Sequence, residues 1–182
     1  MGERIYLVRR VMELDKTLGD LMKTSGDRLL RLAYQLTHDR SSAEDLVQEA
    51  LMQVYRSWRR RAPDVAHGEA YVRRAVVNEY LRRRRLHSSG EVVTDQVPDS
   101  AGTVDFDREV VERDAMWQAL AALPARQRAV LVLRYYEALP DAEIAVLIGA
   151  KEATVRSLAA RAFAVLREGQ LAIEPQVADG SA

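Results

Sequence analysis

Apolar residues recur every three or four positions along most of the chain, and this spacing places them on one face of an α-helix. The pattern predicts an all-α protein with helices over residues 27–36, 41–58, 69–86, 107–123, 125–138, 141–148 and 151–168. Residues 1–23 also have helical spacing and form either a short helix or a frayed extension. Gly, Pro and Ser clusters in residues 88–106 break the periodicity, so two small helical domains joined by a linker are expected.

The helix predicted over residues 41–58 has two different faces. Ser41 and Ser42 precede Glu44 and Asp45, which is a sequence signature of a helix start. A methionine among acidic and polar residues suits docking against another helix, although a single exposed apolar residue is common on ordinary surfaces. The apolar face, predicted to enter a core, carries Leu46, Val47, Ala50, Val54 and Trp58. The opposite face carries Asp45, Gln48, Glu49, Met52 and Arg56.

The helix predicted over residues 69–86 combines an apolar stripe with a basic one. Val72, Val76 and Tyr80 are predicted to be buried. Arginine suits phosphate, asparagine a base edge and tyrosine base stacking, so the basic stripe favours a nucleic-acid contact. Arginines at a helix end also have an ordinary role, because cations there complement the helix dipole. The basic stripe carries Tyr71, Arg74, Asn78, Arg82 and Arg85.

Charge is unevenly distributed although the net charge is zero. Residues 55–85 contain ten arginines and three acidic residues, whereas residues 91–114 contain eight acidic residues and two arginines. The basic segment predicts a polyanionic partner, and the acidic segment either shields that surface or mimics the partner. The predicted domain plan is an N-terminal extension (1–23), a first domain (24–88), a flexible acidic linker (89–107), a second domain (108–168) and a disordered tail (169–182).

The second domain has the spacing of a helix-turn-helix motif. Asp141 suits the N-cap of a short helix, and Gly149 ends that helix as expected of a C-terminal glycine. Small residues beside two arginines on the following helix permit close entry into a major groove, although an ordinary helical hairpin has the same spacing. The residues predicted to face outward are Arg156, Ser157, Ala160, Arg161 and Ala164, and those predicted to face the core are Val155, Ala159, Ala162 and Leu166.

Composition narrows the function classes. The 182 residues are 48% hydrophobic and 30% charged, as expected of a folded soluble protein, and they include no cysteine, which excludes disulfides and thiolate metal sites. No apolar run reaches the roughly 20 residues needed to span a bilayer, and no signal peptide is evident, so no membrane association and a cytoplasmic location are expected. His38, His67 and His87 are isolated, so neither a cofactor, a metal site nor enzymatic activity is expected.

In this order the segments resemble the bacterial extracytoplasmic-function (ECF) sigma factors, sigma-70 relatives that contain only regions 2 and 4. The resemblance extends from about Thr24 to Arg167, and the segment AEDLVQEAL is most similar to an actinobacterial-type group. It is carried by RLLRLAYQLTHDRSSAEDLVQEALMQVYRSW, YVRRAVVNEYLRRRR, ALPARQRAVLVLRYYEALPDAEIAVLIG and TVRSLAARAFAVLR.

The resemblance implies three binding surfaces on a protein without catalysis of its own. The surface expected to dock on the clamp helices of the largest RNA polymerase subunit comprises Asp45, Leu46, Val47, Gln48, Glu49 and Met52. The surface expected on the −10 promoter element comprises Tyr71, Arg73, Arg74, Asn78, Arg82, Arg83 and Arg85, with residues 61–68 holding a flipped base of the melted strand. The surface expected in the major groove of the −35 element comprises Thr154, Arg156, Ser157, Ala160 and Arg161.

The implied partners are core RNA polymerase, promoter DNA in double-stranded and melted form, and an anti-sigma factor, which many members of the family have. The helix over residues 125–138 is expected on the flap of the second-largest polymerase subunit, and the acidic linker in the active-site and RNA-exit channels. Lys151 and Leu158 depart from the family pattern near the −35 surface. The competing hypothesis is a helix-turn-helix regulator that does not engage polymerase, against which the two-faced helix and the Arg74 and Asn78 stripe both argue.

Overall fold

The computed structural model describes residues 2–60, 67–88 and 118–171, and the regular secondary structure within these ranges is helical. The predicted linker, most of the 61–68 loop, the start of the helix predicted over 107–123 and the end of the tail therefore lie outside the described residues. The chain divides into two compact units. The first contains α1 (Gly2–Thr37), α2 (Arg40–Arg60) and α3 (Gly68–Ser88). None of the described helices is both long and apolar enough to cross a membrane.

Helix α1 is longer than the sequence predicts. It runs without a break from Gly2 to Thr37, so the N-terminal residues and the helix predicted over 27–36 are one element. Gly19 and Gly26 lie inside it, and each costs about 1 kcal/mol relative to alanine. Burial of leucine side chains along the helix offsets this cost, since each fully buried leucine contributes about 2 kcal/mol. The buried leucines are Leu14, Leu29, Leu32 and Leu36.

The turn between α1 and α2 shows how α2 begins. His38 has a positive φ of 59°, and its backbone N–H donates to the Tyr34 carbonyl at 2.6 Å. A carboxylate oxygen of Asp39 accepts a hydrogen bond from the Ser42 backbone N–H at 2.6 Å. This bond and a second one from the Ser42 side chain lower the pKa of Asp39. Asp39 is therefore the N-cap, and α2 begins at Arg40, one residue before the start predicted at Ser41.

The core of the first unit follows the predicted apolar stripes. On α2 it buries Ala43, Leu46, Val47, Ala50, Val54 and Trp58, and on α3 it buries Val72, Val76, Val77 and Tyr80. Gly68 permits a close approach at the start of α3, because a Cβ there would lie 2.7 Å from Leu21 Cδ1. Glu69 fixes the same end of α3 to α1 by accepting a hydrogen bond from Ser25 at 2.7 Å and pairing with Arg28 at 3.2 Å.

The described part of the second unit contains a helical stretch over residues 118–122, α4 (Ala125–Leu131), a π-helical turn (Val132–Tyr136), α5 (Asp141–Ile148) and α6 (Glu152–Leu171). The single helix predicted over 125–138 is therefore an α-helix that widens into a π-turn. The Glu137 N–H donates to the Val132 carbonyl at 3.1 Å and the Leu139 N–H to the Leu133 carbonyl at 3.0 Å. Ala138 then reverses the chain with a φ of 53°.

A buried arginine joins α4 to the preceding helical stretch. Arg128 is only 5% exposed, and its guanidinium donates to the carbonyls of Leu120 at 2.8 Å, of Ala121, and of Leu123 at 3.4 Å. These carbonyls lie at a helix end, where backbone carbonyls carry negative partial charge, and the Leu120 carbonyl also accepts a hydrogen bond from the Leu123 N–H at 3.1 Å. The guanidinium of Arg128 thus stabilises the break in the helix at Leu123-Pro124. The apolar pattern of the sequence does not predict this contact.

The helix-turn-helix arrangement is present in α5 and α6. Gly149 has a φ of 62°, and the Ala150 N–H donates to the Ala145 carbonyl at 2.9 Å, as at a glycine-terminated helix. Asp141 is the first residue of α5, and its carboxylate accepts hydrogen bonds from Arg134 Nε at 3.0 Å and from Nη2. The prediction that Asp141 is an N-cap is therefore wrong, since its carboxylate anchors α5 to the π-turn.

Candidate protein-docking and nucleic-acid surfaces

The outer face of α2 is a mixed acidic and apolar surface. Asp45 and Gln48 are exposed, Glu49 is half-buried, and Met52 is 47% exposed. Arg56 pairs with Glu49 at 3.7 Å and borders this surface. We call Asp45, Gln48, Glu49 and Met52 the docking face.

Two predicted docking residues have a different position. Leu46 is fully buried and Val47 is 5% exposed, so both side chains lie in the core of the first unit. They cannot offer a surface to a partner without repacking. Their contribution is to hold α2 in place, so that the docking face is presented from a rigid helix.

The exposed side of α3 carries most of the predicted nucleic-acid residues. Tyr71 is 41% exposed, while its hydroxyl lies 3.0 Å from Ser57 Oγ and its ring centroid 5.9 Å from that of Trp58. Arg73 is half-buried. Tyr71 is thus an aromatic ring anchored on α2 with one side open to solvent. The exposed residues of this set are Arg74, Asn78, Arg82 and Arg85.

Glu79 organises two of the predicted arginines. Its side chain is 1% exposed, and its carboxylate accepts hydrogen bonds from Arg82 Nε at 2.8 Å, Arg82 Nη2 at 2.7 Å, Arg83 Nε at 3.0 Å and Gln53 Nε2 at 2.8 Å. Burial opposes the charged form, but the hydrogen bonds from Arg82, Gln53 and Arg83 outweigh it and lower the pKa of Glu79. Arg82 and Arg83 are therefore held in a network rather than extended freely into solvent.

Sequence reasoning missed this network. Glu79 counted there only as one of three acids in a basic segment. The spacing of these residues indicates part of the network, because Arg82 and Arg83 follow Glu79 by three and four residues and so share its side of the helix. The contact from Gln53 comes from a different helix and could not be predicted from spacing.

The outer face of α6 is polar and open. All five predicted −35 residues are exposed: Thr154, Arg156, Ser157, Ala160 and Arg161. On the other side of α6, Val155, Ala159 and Ala162 are buried, as the apolar stripe predicts. Arg156 pairs with Glu152 at 3.6 Å, with both side chains more than half exposed.

The second unit also exposes aromatic side chains. Tyr135 is 63% exposed and packs edge-on against Phe163 of α6, with the ring centroids 5.6 Å apart. Tyr136, which follows the apolar residues of the helix predicted over 125–138, is 52% exposed. The π-turn explains this, because the wider turn rotates the positions after Val132 away from regular α-helical spacing.

Comparison with protein families assigns both units. The Sigma-70 region 2 model matches residues 21–89, and the Sigma-70, region 4 model matches residues 113–166. The chain is 38% identical over 152 residues to the RNA polymerase sigma-E factor of Streptomyces avermitilis, covering 82% of each chain. It is 36% identical over 148 residues to the ECF RNA polymerase sigma factor SigL of Mycobacterium tuberculosis, covering 76% of this chain and 80% of the relative.

Solved structures share the fold. One is the sigma factor RpoE from Bartonella quintana in complex with the anti-sigma factor NepR, with a TM-score of 0.59 and 23% identity, covering 88% of this chain and 99% of that one. Another is CnrH in complex with the cytosolic domain of CnrY, with a TM-score of 0.61 and 19% identity, covering 95% of this chain and 99% of that one.

Region 2 followed by region 4 on one chain defines a transcription initiation factor of the sigma-70 class. The chain belongs to the ECF RNA polymerase sigma factors. It binds core RNA polymerase and promoter DNA, and it directs the polymerase to promoters. The reading as a regulator independent of polymerase is not favoured, because that class does not account for region 2.

Proposed function

We propose that the docking face of α2 binds the clamp helices of the largest polymerase subunit. The support is an exposed methionine beside acidic and amide side chains, on a helix whose opposite face is fully buried. The thioether adapts to an apolar partner surface, and Asp45 and Glu49 select a basic one. Leu46 and Val47 act from the core by fixing α2.

The outward side of α3 contacts the −10 element and the melted strand. Arg74 and Asn78 lie one helical turn apart and are both exposed, so a phosphate and a base edge of one strand can be met together. Tyr71 offers its ring for base stacking. Arg73, Arg82, Arg83 and Arg85 supply the surrounding positive charge. Opening of the duplex is then driven by binding free energy for the exposed strand, while the polymerase performs the chemistry and this chain has no catalytic role.

Helix α6 enters the major groove of the −35 element. Arg156 and Arg161 have guanidinium groups that match guanine edges, while Ser157 and Ala160 between them leave room for the helix to approach. Thr154 lies near the start of α6, where its hydroxyl suits a backbone phosphate. The segment from Ala125 to Ala138 contacts the flap of the second-largest subunit.

Regulation and location follow from the same class. Of the two structural neighbours named above, RpoE is in complex with the anti-sigma factor NepR, and CnrH is in complex with the cytosolic domain of CnrY. An anti-sigma factor is proposed as a partner of this chain as well. A cytoplasmic location is proposed as well, because the chain acts together with core polymerase.

The docking proposal is tested on the purified chain with core polymerase. Glu49→Lys combined with Met52→Ala should weaken the affinity for core polymerase about tenfold, because it reverses one charge and removes the exposed apolar anchor. A matched control is Met12→Ala combined with Asp15→Lys, an exposed methionine and acid at the same spacing on α1. Equal affinities of the two double variants would contradict the assignment.

Promoter selectivity is tested by run-off transcription on a promoter library. Core polymerase with this chain should begin RNA at a defined set of promoters that core polymerase alone does not use. This experiment also supplies the promoter sequence required for the DNA measurements below. An unchanged set of start sites would contradict the proposed function as a whole.

A further inference from the structure

The seam between α2 and α3 contains a carboxylate with an unusual environment. Glu79 is 1% exposed, yet its pKa is lowered, so it stays ionised inside the first unit. An isolated buried carboxylate is strongly unfavourable, and an apolar side chain would serve packing better. The charge of Glu79 is offset by the guanidiniums of Arg82 and Arg83 and by the amide of Gln53.

The arginines bound to Glu79 reach outward as well as inward. The side chains of Arg82 and Arg83 are 51% and 35% exposed, although both contact the buried carboxylate. A guanidinium has five N–H donors in one plane, and Arg82 directs only its Nε and Nη2 edge to Glu79. Its remaining N–H groups are therefore held in a fixed direction.

The network also connects α3 to the docking face. Arg83 Nη2 donates to the backbone carbonyl of Asp45 at 3.3 Å, and Gln53 of α2 donates to the Glu79 carboxylate. The pKa of Arg82 is raised by its hydrogen bond to Glu79, and the charge of Glu49 on the docking face adds to this. The proposed polymerase and DNA surfaces thus share one set of polar contacts.

We propose that Glu79 is a positioning residue that orients Arg82 and Arg83 against α2, so that their remaining N–H groups bind phosphates of the melted −10 strand. This inference rests on the proposed function of α3. Glu79 fixes the side-chain torsions before the strand arrives, which reduces the ordering cost of binding. It also joins the arginines to the backbone of α2, so the strand and the polymerase contact one connected structure.

Positioning and simple electrostatics predict opposite results when Glu79 loses its charge. Glu79→Gln raises the net charge of the DNA surface by one, and a purely electrostatic surface would then bind a nucleic acid more tightly and with a steeper salt dependence. If orientation matters, the same variant binds the strand more weakly despite its extra positive charge. The sign of the change therefore distinguishes the two.

The experiment uses holoenzyme assembled from core polymerase and the full chain, with a fluorescent single-stranded oligonucleotide that carries the −10 sequence. Glu79→Gln should weaken strand binding on the order of tenfold, which is the effect of losing one charge-assisted contact. The matched control Glu69→Gln removes the same charge from the same helix, but from the end that contacts Ser25 and Arg28 of α1. It should bind the strand as tightly as the unmodified chain or slightly more tightly.

A second variant covers the case in which Glu79→Gln does not fold, which circular dichroism would reveal. Arg82→Lys keeps the charge but cannot make the two parallel hydrogen bonds to Glu79, so its strand affinity should fall similarly. The inference is overturned if a folded Glu79→Gln variant binds the strand as tightly as Glu69→Gln does. It is also overturned if Arg82→Lys binds the strand as tightly as the unmodified chain. The double variant Arg74→Ala with Asn78→Ala distinguishes failure of the proposed role of α3 from failure of the inferred role of Glu79. If this variant also leaves strand binding unchanged, the proposed role of α3 fails. If this variant weakens strand binding while Glu79→Gln does not, only the role of Glu79 fails.

Discussion

The sides of α3 and α6 that are proposed to contact DNA both present arginines, but the arginines are held differently. On α3, Arg82 and Arg83 are fixed by the buried carboxylate of Glu79. On α6, Arg156 has an exposed pair with Glu152, and Arg161 has no ion pair among the described residues. Exposed ion pairs contribute little to stability or rigidity. Arg156 and Arg161 of α6 are therefore able to change rotamer, whereas Arg82 and Arg83 of α3 are restrained.

This difference fits the two states of promoter DNA. A duplex is stiff and presents base edges at fixed positions, so flexible side chains can settle into its groove. A single strand has no fixed shape, and a surface that binds it gains affinity when its own groups are already in place. Restrained arginines on α3 and adaptable arginines on α6 therefore suit the proposed roles of region 2 in binding the melted strand and of region 4 in binding the duplex.

The largest expected effect comes from removing base and phosphate contacts on α3. Arg74→Ala combined with Asn78→Ala should reduce open-complex formation by about 3 kcal/mol, roughly a hundredfold, while closed-complex binding changes little. Permanganate reactivity of −10 thymines measures the first quantity, and a mobility shift under non-melting conditions measures the second. Arg31→Ala on the exposed surface of α1 is the control. Normal permanganate reactivity in the double variant would contradict the proposal that α3 contacts the melted −10 strand.

A rigid arginine in the second unit should matter for stability instead. Arg128→Met removes the guanidinium that bonds the helix-end carbonyls of Leu120, Ala121 and Leu123. The free energy of unfolding should fall by about 2 kcal/mol, because the helix-end carbonyls lose a charged donor that is itself buried. Urea denaturation followed by circular dichroism measures this, with the exposed neighbour Arg126→Met as the control. Equal midpoints for the two variants would show that Arg128 is not required for packing.

A smaller effect is expected on α6. Arg156→Ala combined with Arg161→Ala should reduce the preference for the correct −35 sequence about tenfold, which corresponds to one lost base contact. Competition between promoters with correct and altered −35 elements measures this preference. Arg167→Ala, further along the same helix, controls for the loss of charge. If the preference is retained while overall binding weakens, the arginines contact phosphates rather than bases.

The smallest effect concerns pH. The pKa of Glu79 is lowered from its ordinary value of 4.5, so its ionised form stabilises the folded state at pH values above 4.5 and this contribution is lost as the pH falls further. The difference in unfolding free energy between the unmodified chain and Glu79→Gln should therefore be larger at pH 7 than at pH 3. Urea titrations at the two values measure it. A difference that is independent of pH would show that the network does not depend on the charge.

The part of this fold that could be predicted is the part that follows from the regular spacing of apolar residues. The buried faces of α2, α3 and α6 follow a simple period of 3.6 residues, so Trp58, Val76 and Ala159 were all assigned to the core correctly. Helix starts are set by single side chains, and the start of α2 was misplaced because Asp39 competes with two nearby serines as a cap.

Features that depend on neighbouring elements were not predictable from spacing. The π-turn leaves the apolar pattern of residues 130–136 almost unchanged, yet it turns Tyr136 outward. Arg128 resembles any surface arginine in sequence, and only the adjacent helix end makes it a buried donor. On the candidate sites, exposure of the docking face and the α6 face agrees with the expected positions. The apolar stripe predicts the burial of Leu46 and Val47 correctly, and this burial disagrees with their place in the docking surface that the family resemblance implies.

The most direct test of the restrained and adaptable faces is the affinity of holoenzyme for a single-stranded −10 oligonucleotide that lacks any −35 sequence. The Arg74 and Asn78 double variant should lose affinity for this strand, while the Arg156 and Arg161 double variant should bind it as the unmodified chain does. Equal losses in both variants, or a loss confined to the α6 variant, would contradict the division of strand and duplex recognition between the two units.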